Sequence, residues 1–256
     1  MKILSICNWK GGVGKTTTAV NLGYSLTKLN KSVLLVDADP QTNATVGLDF
    51  PLDELLDNDG LYHVLKQGIP LIDEVYQTEY ENYYVVPATP LLSDLEIELS
   101  NKIQREEILN NCIKACRDEL EENFDFIIID NNPSLGLLTL NSLGASDYII
   151  VPIDLGAYSL DGLSNLIDTV QIMKNVNSQL SVLGILLTKV DARTNLEKFF
   201  RENLSDIPWP VFNTKVSQNV DINRSQLENQ PVLKYNKQAK SAKEYLQFAK
   251  EIMKEV

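Results

Sequence analysis

The stretch that decides the fold is residues 8–18, Asn-Trp-Lys-Gly-Gly-Val-Gly-Lys-Thr-Thr-Thr. It lies between a short apolar run, residues 3–7, and an amphipathic stretch, residues 16–29. A glycine-rich loop between a strand and a helix points backbone N–H groups and the positive helix end at an anion. The Lys15 ammonium is suited to phosphate oxygens and the Thr16 hydroxyl to Mg²⁺. The stretch therefore predicts a phosphate-binding loop (P-loop). Its candidate nucleotide contacts are Lys10, Gly11, Gly12, Val13, Gly14, Lys15, Thr16 and Thr17.

Further apolar runs alternate with amphipathic stretches along the chain. Continuous apolar strands in such alternation are typical of a parallel sheet with helices on both faces. We predict strands at residues 3–7, 33–36, 83–86, 126–129, 148–151, 182–187 and 211–212, and helices at 16–29, 91–120 (broken at least once), 160–173 and 241–256. This order predicts a doubly wound α/β fold with a mainly parallel sheet of about seven or eight strands. Because no linker rich in Pro, Gly or Ser divides the chain, we expect one domain over residues 1–256.

Aspartates follow two of the predicted strands, at the edge where a parallel sheet places its ligand site. Asp37 and Asp39 follow the strand at 33–36, and Asp130 follows a run of isoleucines. Carboxylates at this edge suit a Mg²⁺ ion beside a phosphate. Capping of the next helix is the alternative role for Asp130.

The P-loop departs from the general pattern G-x-x-x-x-G-K-[ST], because Trp9 occupies the place of the first glycine and Lys10 precedes Gly11. This arrangement resembles the deviant Walker A motif of the ParA/MinD family of P-loop ATPases. In that family the early lysine reaches the phosphates of a partner subunit in a nucleotide-sandwich dimer. The resemblance implies the same role for Lys10, with a solvated loop lysine as the alternative.

Three further segments are similar to ParA-type DNA partition ATPases: residues 37–41 (D-A-D-P-Q), 126–143 and 187–195. The resemblance implies catalytic roles for Lys10, Lys15 and Asp39. It implies Mg²⁺ coordination by Thr16, Asp39 and Asp130. It also favours ATP as the nucleotide, although residues 188–191 nearly match the guanine-binding pattern N-K-x-D.

Two departures from the family leave details open. Asn131 and Asn132 replace an apolar or thiol residue and a proline, so the family pattern does not define the shape of the loop that follows Asp130. Residues 217–219, Ser-Gln-Asn, stand where the family has P-R-N. Asn219 is therefore a candidate contact to the base, whereas Gln218 lacks the charge for a DNA contact.

Charge is distributed unevenly along the chain. With 23 Lys and Arg against 35 Asp and Glu, the formal net charge is −12, which argues against a protein whose whole surface binds nucleic acid. Residues 188–256 nevertheless carry twelve Lys and Arg against nine Asp and Glu. A basic face in this part suits weak, sequence-independent contact with DNA backbone. Arg193, Arg224 and Lys237 are our candidates, with a solvated face of mixed charge as the alternative.

Several other classes are excluded or disfavoured. No run of about 18 apolar residues predicts a membrane span, and three cysteines do not make a disulfide framework. The single histidine, His63, removes most histidine-based catalysis. The apolar side of the last helix is better explained by core packing than by membrane binding.

The resemblance implies a cytoplasmic, nucleoid-associated, Mg²⁺-dependent ATPase that partitions plasmid or chromosomal DNA, in the short form without an additional N-terminal DNA-binding domain. An ATP-bound homodimer would bind nonspecific DNA, and a ParB-like centromere-binding partner would stimulate hydrolysis. The alternative is a MinD-like or cargo-positioning ATPase scaffold that acts on proteins or a membrane rather than on DNA.

Overall fold

The computed structural model describes residues 1–55, 59–155, 163–191 and 207–256. In these ranges eight strands form one sheet in the order β3-β4-β2-β5-β1-β6-β7-β8. The β3–β4 pair is antiparallel and every other pair is parallel. The predicted α/β fold with a mainly parallel sheet of seven or eight strands is therefore confirmed. The strands are β1 (Lys2–Ile6), β2 (Val33–Ala38), β3 (Tyr76–Gln77), β4 (Tyr83–Val86), β5 (Phe126–Asn131), β6 (Tyr148–Asp154), β7 (Ser181–Val190) and β8 (Val211–Ser217).

Helices cover both faces of this sheet. The helices are α1 (Lys15–Thr27), α2 (Asn43–Val46), α3 (Leu61–Gln67), α4 (Leu92–Leu99), α5 (Ile108–Lys114), α6 (Arg117–Asn123), α7 (Leu137–Ala145), α8 (Leu163–Met173), α9 (Val220–Leu227), α10 (Val232–Tyr235) and α11 (Lys240–Glu255), with 3₁₀ turns at Leu52–Glu54 and Leu71–Glu74. Successive side chains of a strand point to opposite faces. In β2, Leu35 thus packs in a core with α1 and α11, and Leu34 in a second core with α3, α4, α5 and α7.

The structure refines the predicted elements. The predicted helix over 91–120 is three helices, α4 to α6. The antiparallel edge strand β3 and the helices α2, α3, α7, α9 and α10 were not predicted. The last helix matches its prediction closely, and its residues Tyr245, Phe248 and Ile252 are buried in the core. Core packing therefore accounts for its apolar side, as expected. Among the residues that the structure describes, no helix has the length and apolar character needed to cross a bilayer.

The sheet brings the P-loop and the acidic residues to one edge. Asp37 on β2 pairs in register with Asp130 on β5, and Asp130 pairs with Ile6 at the end of β1. The P-loop follows Ile6 directly. The residues that the sequence placed after separate strands are therefore neighbours in space.

Candidate nucleotide-binding site

A cavity of about 560 Å³ lies beside the P-loop at the carboxyl edge of the sheet. This volume is in the range of small-molecule sites. Most of the predicted nucleotide contacts line it, namely Gly11, Gly12, Gly14, Lys15, Thr16, Thr17 and Asn219, and so does the predicted catalytic residue Asp39. Sequence reasoning did not assign the polar side chains Gln41, Asn43 and Gln226, which also line the cavity.

The backbone of the P-loop requires glycine at two positions. Gly12 has φ +73° and Gly14 has φ +88°, a left-handed conformation that costs side-chain-bearing residues about 1 kcal/mol or more. Gly14 immediately precedes α1, whose first residue is Lys15. The loop therefore leads into the positive end of this helix, where an anion is favoured.

Lys15 is buried, with 6% of its surface exposed. Its Nζ donates a hydrogen bond to the Lys10 carbonyl oxygen at 3.1 Å. Burial lowers the pKa of Lys15, while the nearby Asp130 and Asp39 carboxylates act in the opposite direction. An ammonium group withdrawn from water in this way binds a phosphate more strongly than an exposed one.

Val13 does not line the cavity but anchors the loop. Its side chain is buried, and its carbonyl oxygen accepts a hydrogen bond of 2.7 Å from the Thr188 hydroxyl on β7. Thr188 also lines the cavity. In the sequence, Thr188 stands out only as the first residue of 188–191, where the guanine-binding pattern N-K-x-D has asparagine. Its place near the carboxyl end of a strand, the criterion that selected Asp130, was the signal that could have identified it.

Asp130 is fully buried, and neither of its carboxylate oxygens accepts a hydrogen bond from the described residues. Burial raises its pKa well above the ordinary value, and the Asp37 carboxylate raises it further. The Thr16 hydroxyl and the Lys15 ammonium partly offset this rise. Two buried oxygens without partners fit a cation, or a water molecule bound to one, because either would satisfy them.

Asp37 instead holds the loop that carries Asp39. Its carboxylate accepts hydrogen bonds from the Asp39 backbone N–H at 3.1 Å and from the N–H and hydroxyl of Thr45 at 2.9 and 2.7 Å. Burial raises its pKa to about 6, although these hydrogen bonds lower it. The Asp39 Oδ1 accepts from the Gln41 N–H at 2.9 Å. Asp37 therefore fixes the backbone from which the Asp39 side chain lines the cavity.

These groups do not form a self-sufficient metal cage. Within the described ranges, no group of three or more His, Cys, Asp or Glu side chains is placed to hold a metal ion. Mg²⁺ in nucleotide sites commonly takes one or two protein ligands and completes its shell with phosphate oxygens and water. The hydroxyl of Thr16 and the carboxylates of Asp39 and Asp130 fit that arrangement.

Lys10, like Val13, does not line the cavity. Its Nζ lies 2.9 Å from Asp154 Oδ1 at the end of β6, and about a third of its side chain is exposed. Its backbone N–H donates to Asn8 Oδ1 at 2.9 Å, and Asn8 Nδ2 donates to the Pro152 carbonyl at 2.7 Å. The early lysine of this chain is thus paired with a carboxylate of its own subunit.

The three asparagines that the sequence singled out form local hydrogen bonds. Asn219 caps α9, because its Oδ1 accepts from the Asp221 N–H at 2.8 Å. Asn131 donates to the Ser5 hydroxyl at 2.7 Å, and Asn132 Oδ1 accepts from the Thr139 hydroxyl at 3.0 Å. The two asparagines that depart from the family pattern therefore tie the segment after Asp130 to β1 and α7.

Two of the basic candidates for DNA contact, Arg224 and Lys237, are described by the structure, and neither lines the cavity. Arg224 is exposed on α9, and Lys237 is exposed between α10 and α11. Arg193 lies outside the described residues. Both described side chains are accessible, which their proposed contact with DNA requires.

Comparison with known proteins places the chain in a family. The AAA domain family matches residues 1–182. Sporulation initiation inhibitor protein Soj of Bacillus subtilis is 42% identical, over 98% of this chain and 98% of Soj. Chromosome partitioning protein ParA of Myxococcus xanthus is 39% identical, over 99% of this chain and 88% of ParA.

A solved structure extends the similarity to the fold. Cobyrinic acid a,c-diamide synthase from Mycobacterium smegmatis, crystallised with an ATP analogue and magnesium, superposes with a TM-score of 0.84 at 29% identity, over 99% of this chain and 95% of the synthase. The geometry of the P-loop and the sequence identity to Soj and ParA over nearly the whole chain point to the same family. The chain belongs to the ParA/Soj family of P-loop ATPases.

Proposed function

We propose that this protein is a Mg²⁺-dependent ATPase that partitions plasmid or chromosomal DNA in the cytoplasm. The observation that carries the proposal is the identity of 42% and 39% over nearly the whole chain to proteins named Soj and ParA. The cavity beside the P-loop, with Lys15 and Asp39 in its wall, supports a nucleoside triphosphate as the ligand.

In this proposal the P-loop glycines and Lys15 bind the phosphates. The N–H groups of the loop and the start of α1 face the anion, and the Lys15 ammonium balances the charge that grows on the γ-phosphate during transfer. Asn219, which lines the same cavity, contacts the base. Thr16, Asp39 and Asp130 would hold Mg²⁺, which would supply positive charge to offset the charge of the transferring phosphoryl group.

Asp39 is proposed to orient the attacking water as well as to stand beside the metal. Its carboxylate has one oxygen engaged by the Gln41 N–H, so the other oxygen is available for a water molecule. The hydrogen bonds between Asp37 and the 39–45 segment hold this carboxylate in place. A water held in line with the γ-phosphate needs such a fixed acceptor.

In this proposal Lys10 makes dimerisation depend on which nucleotide is bound. It would leave Asp154 and reach the phosphates of a partner subunit in an ATP-bound homodimer. ATP favours the dimer because its γ-phosphate contributes contacts that ADP lacks. The dimer then binds nonspecific DNA through basic residues of the C-terminal third, including Arg224 and Lys237, and nucleoid association follows from that binding.

The test is ATP hydrolysis measured with nonspecific duplex DNA and with the ParB-like protein of the same organism, separately and together. Slow basal hydrolysis that rises at least tenfold when both are present is the expected result. A rate of hydrolysis that does not change with DNA but rises with a protein cargo or with lipid vesicles would instead support the alternative, an ATPase scaffold that acts on proteins or a membrane.

A further inference from the structure

The last helix, α11, contacts both sides of the cavity. On the phosphate side, the Tyr245 hydroxyl lies 3.5 Å from the Thr18 hydroxyl of α1, and Tyr245 lines the cavity. On the opposite side, α11 packs along β8, which leads into residues 217–219. A single helix therefore supports the phosphate helix and the turn that carries Asn219.

Two glutamates of α11 bind the backbone of β8. Glu251 accepts hydrogen bonds from the N–H groups of Asn213 at 2.7 Å and Thr214 at 2.9 Å. Glu244 accepts from the N–H of Ser217 at 2.8 Å and from its hydroxyl at 2.7 Å. In the sheet that the described residues form, β8 is an edge strand, so its outer N–H groups have no neighbouring strand there to bind. The two carboxylates satisfy them instead.

The two contacts differ in their relation to the cavity. Ser217, Gln218 and Asn219 line it, whereas Asn213 and Thr214 do not. The Gln218 N–H donates to the Val190 carbonyl at 3.1 Å, and the Asn219 side chain caps α9. Glu244 therefore holds Ser217, the first residue of the turn, by accepting hydrogen bonds from the N–H and the hydroxyl of Ser217.

We infer that Glu244 is a positioning residue for the nucleobase: by holding Ser217 it fixes the turn 217–219 against which the base of a nucleoside triphosphate binds. This inference rests on the proposed function, which places the base at Asn219. The phosphates bind to the P-loop, which Glu244 does not contact. Loss of Glu244 is therefore expected to weaken the part of the affinity that comes from the base and to leave the part that comes from the phosphates.

The test compares ATP with inorganic tripolyphosphate, which has no base, by isothermal titration calorimetry with Mg²⁺. Glu244→Ala is expected to bind ATP about tenfold more weakly, since it removes two hydrogen bonds to a carboxylate, while its affinity for tripolyphosphate changes less than about twofold. Glu244→Gln is expected to restore ATP binding, because its amide both accepts from the N–H and donates to the hydroxyl of Ser217. Glu251→Ala is the matched control, with an equivalent contact removed from the same helix and strand, and it is expected to bind both ligands as the wild type does.

Other results of this titration would count either against the positioning role of Glu244 or against the proposed function. Wild-type affinity of Glu244→Ala for ATP, an equal loss of ATP and tripolyphosphate binding, or the same selective loss in Glu251→Ala would overturn the inference. If Glu244→Ala does not fold, Ser217→Ala removes the hydroxyl bond alone, and it must show the same selective loss to a smaller extent. A wild-type protein that binds no ATP contradicts the proposed function, whereas ATP binding that is insensitive to Glu244→Ala contradicts only the positioning role.

Discussion

The hydrogen bond between the Thr188 hydroxyl and the Val13 carbonyl allows a direct test of how the P-loop is held. Thr188→Val removes the hydroxyl and keeps the shape of the side chain. Both partners are buried, with exposures of 2% and 1%, so bulk solvent does not compete for this hydrogen bond in the folded protein. The change removes one short hydrogen bond and leaves a buried carbonyl unpaired, which together cost about 2 kcal/mol.

For a chain of this size, a loss of about 2 kcal/mol lowers the midpoint of thermal unfolding by roughly 6 °C. We also expect ATP affinity to fall about fivefold, because the loop loses part of its preorganisation and 1 kcal/mol corresponds to roughly that factor. Differential scanning calorimetry without nucleotide and titration calorimetry with Mg²⁺ and ATP measure the two effects separately.

Thr89 offers a matched control for this substitution. It is 5% exposed, and its hydroxyl has no hydrogen-bond partner among the described residues. Thr89→Val is therefore expected to leave stability unchanged or to raise it slightly, since it removes an unsatisfied polar group. Thr188→Val that unfolds at the wild-type temperature, or an equal loss in Thr89→Val, would refute the anchoring of the P-loop by Thr188.

Three further substitutions test other parts of the account. Lys15→Ala is expected to weaken ATP binding at least a hundredfold, because it removes the buried cation of the phosphate site; unchanged affinity by titration calorimetry would contradict the P-loop assignment. Asp39→Ala is expected to keep ATP affinity within about threefold and to slow hydrolysis about a hundredfold or more; normal turnover in a phosphate-release assay would remove Asp39 from the chemistry. Glu251→Ala is expected to lower the free energy of unfolding by about 1 kcal/mol at pH 7. Burial raises the pKa of Glu251, but the hydrogen bonds from Asn213 and Thr214 outweigh burial and hold the pKa below its ordinary 4.5. Its stabilising effect is therefore complete above that pH and lost as the pH falls through the lowered value. Urea unfolding at pH 7 and near pH 3 checks this, and a difference from the wild type that stays constant with pH would contradict it.

The sequence was sufficient for the parts of the site that are local in the chain. Lys15, Thr16 and the glycines lie within one loop, and Asp130 follows an unbroken apolar strand. Their proximity follows from the rule that parallel strands end at one edge of the sheet. No knowledge of strand order was needed to bring them together.

Contacts that depend on strand order could not be predicted in this way. Asp154 lies 144 positions from Lys10 and Thr188 lies 175 positions from Val13. Both contacts exist because β6 pairs with β1 and β7 is the next strand beyond β6 in the sheet. A local pattern of residue types does not contain this adjacency, so neither contact was predicted.

The edge strand β8 was underestimated for a different reason. Only residues 211–212 were expected in it, because Asn213, Thr214 and Lys215 interrupt the apolar pattern. In the structure, carboxylates of α11 bind the N–H groups of this polar segment. A strand stabilised by side chains of a distant helix does not need the continuous apolar pattern of a central strand.

The central claim is that ATP, and not ADP, joins two copies of this chain through Lys10. Sedimentation velocity with Mg²⁺ and a non-hydrolysable ATP analogue tests it most directly, with the ADP-bound protein and Lys10→Ala as references. The account predicts a dimer for the wild type with the analogue and monomers for both references. A wild-type protein that stays monomeric at saturating analogue, or a Lys10→Ala protein that dimerises as readily, would contradict it.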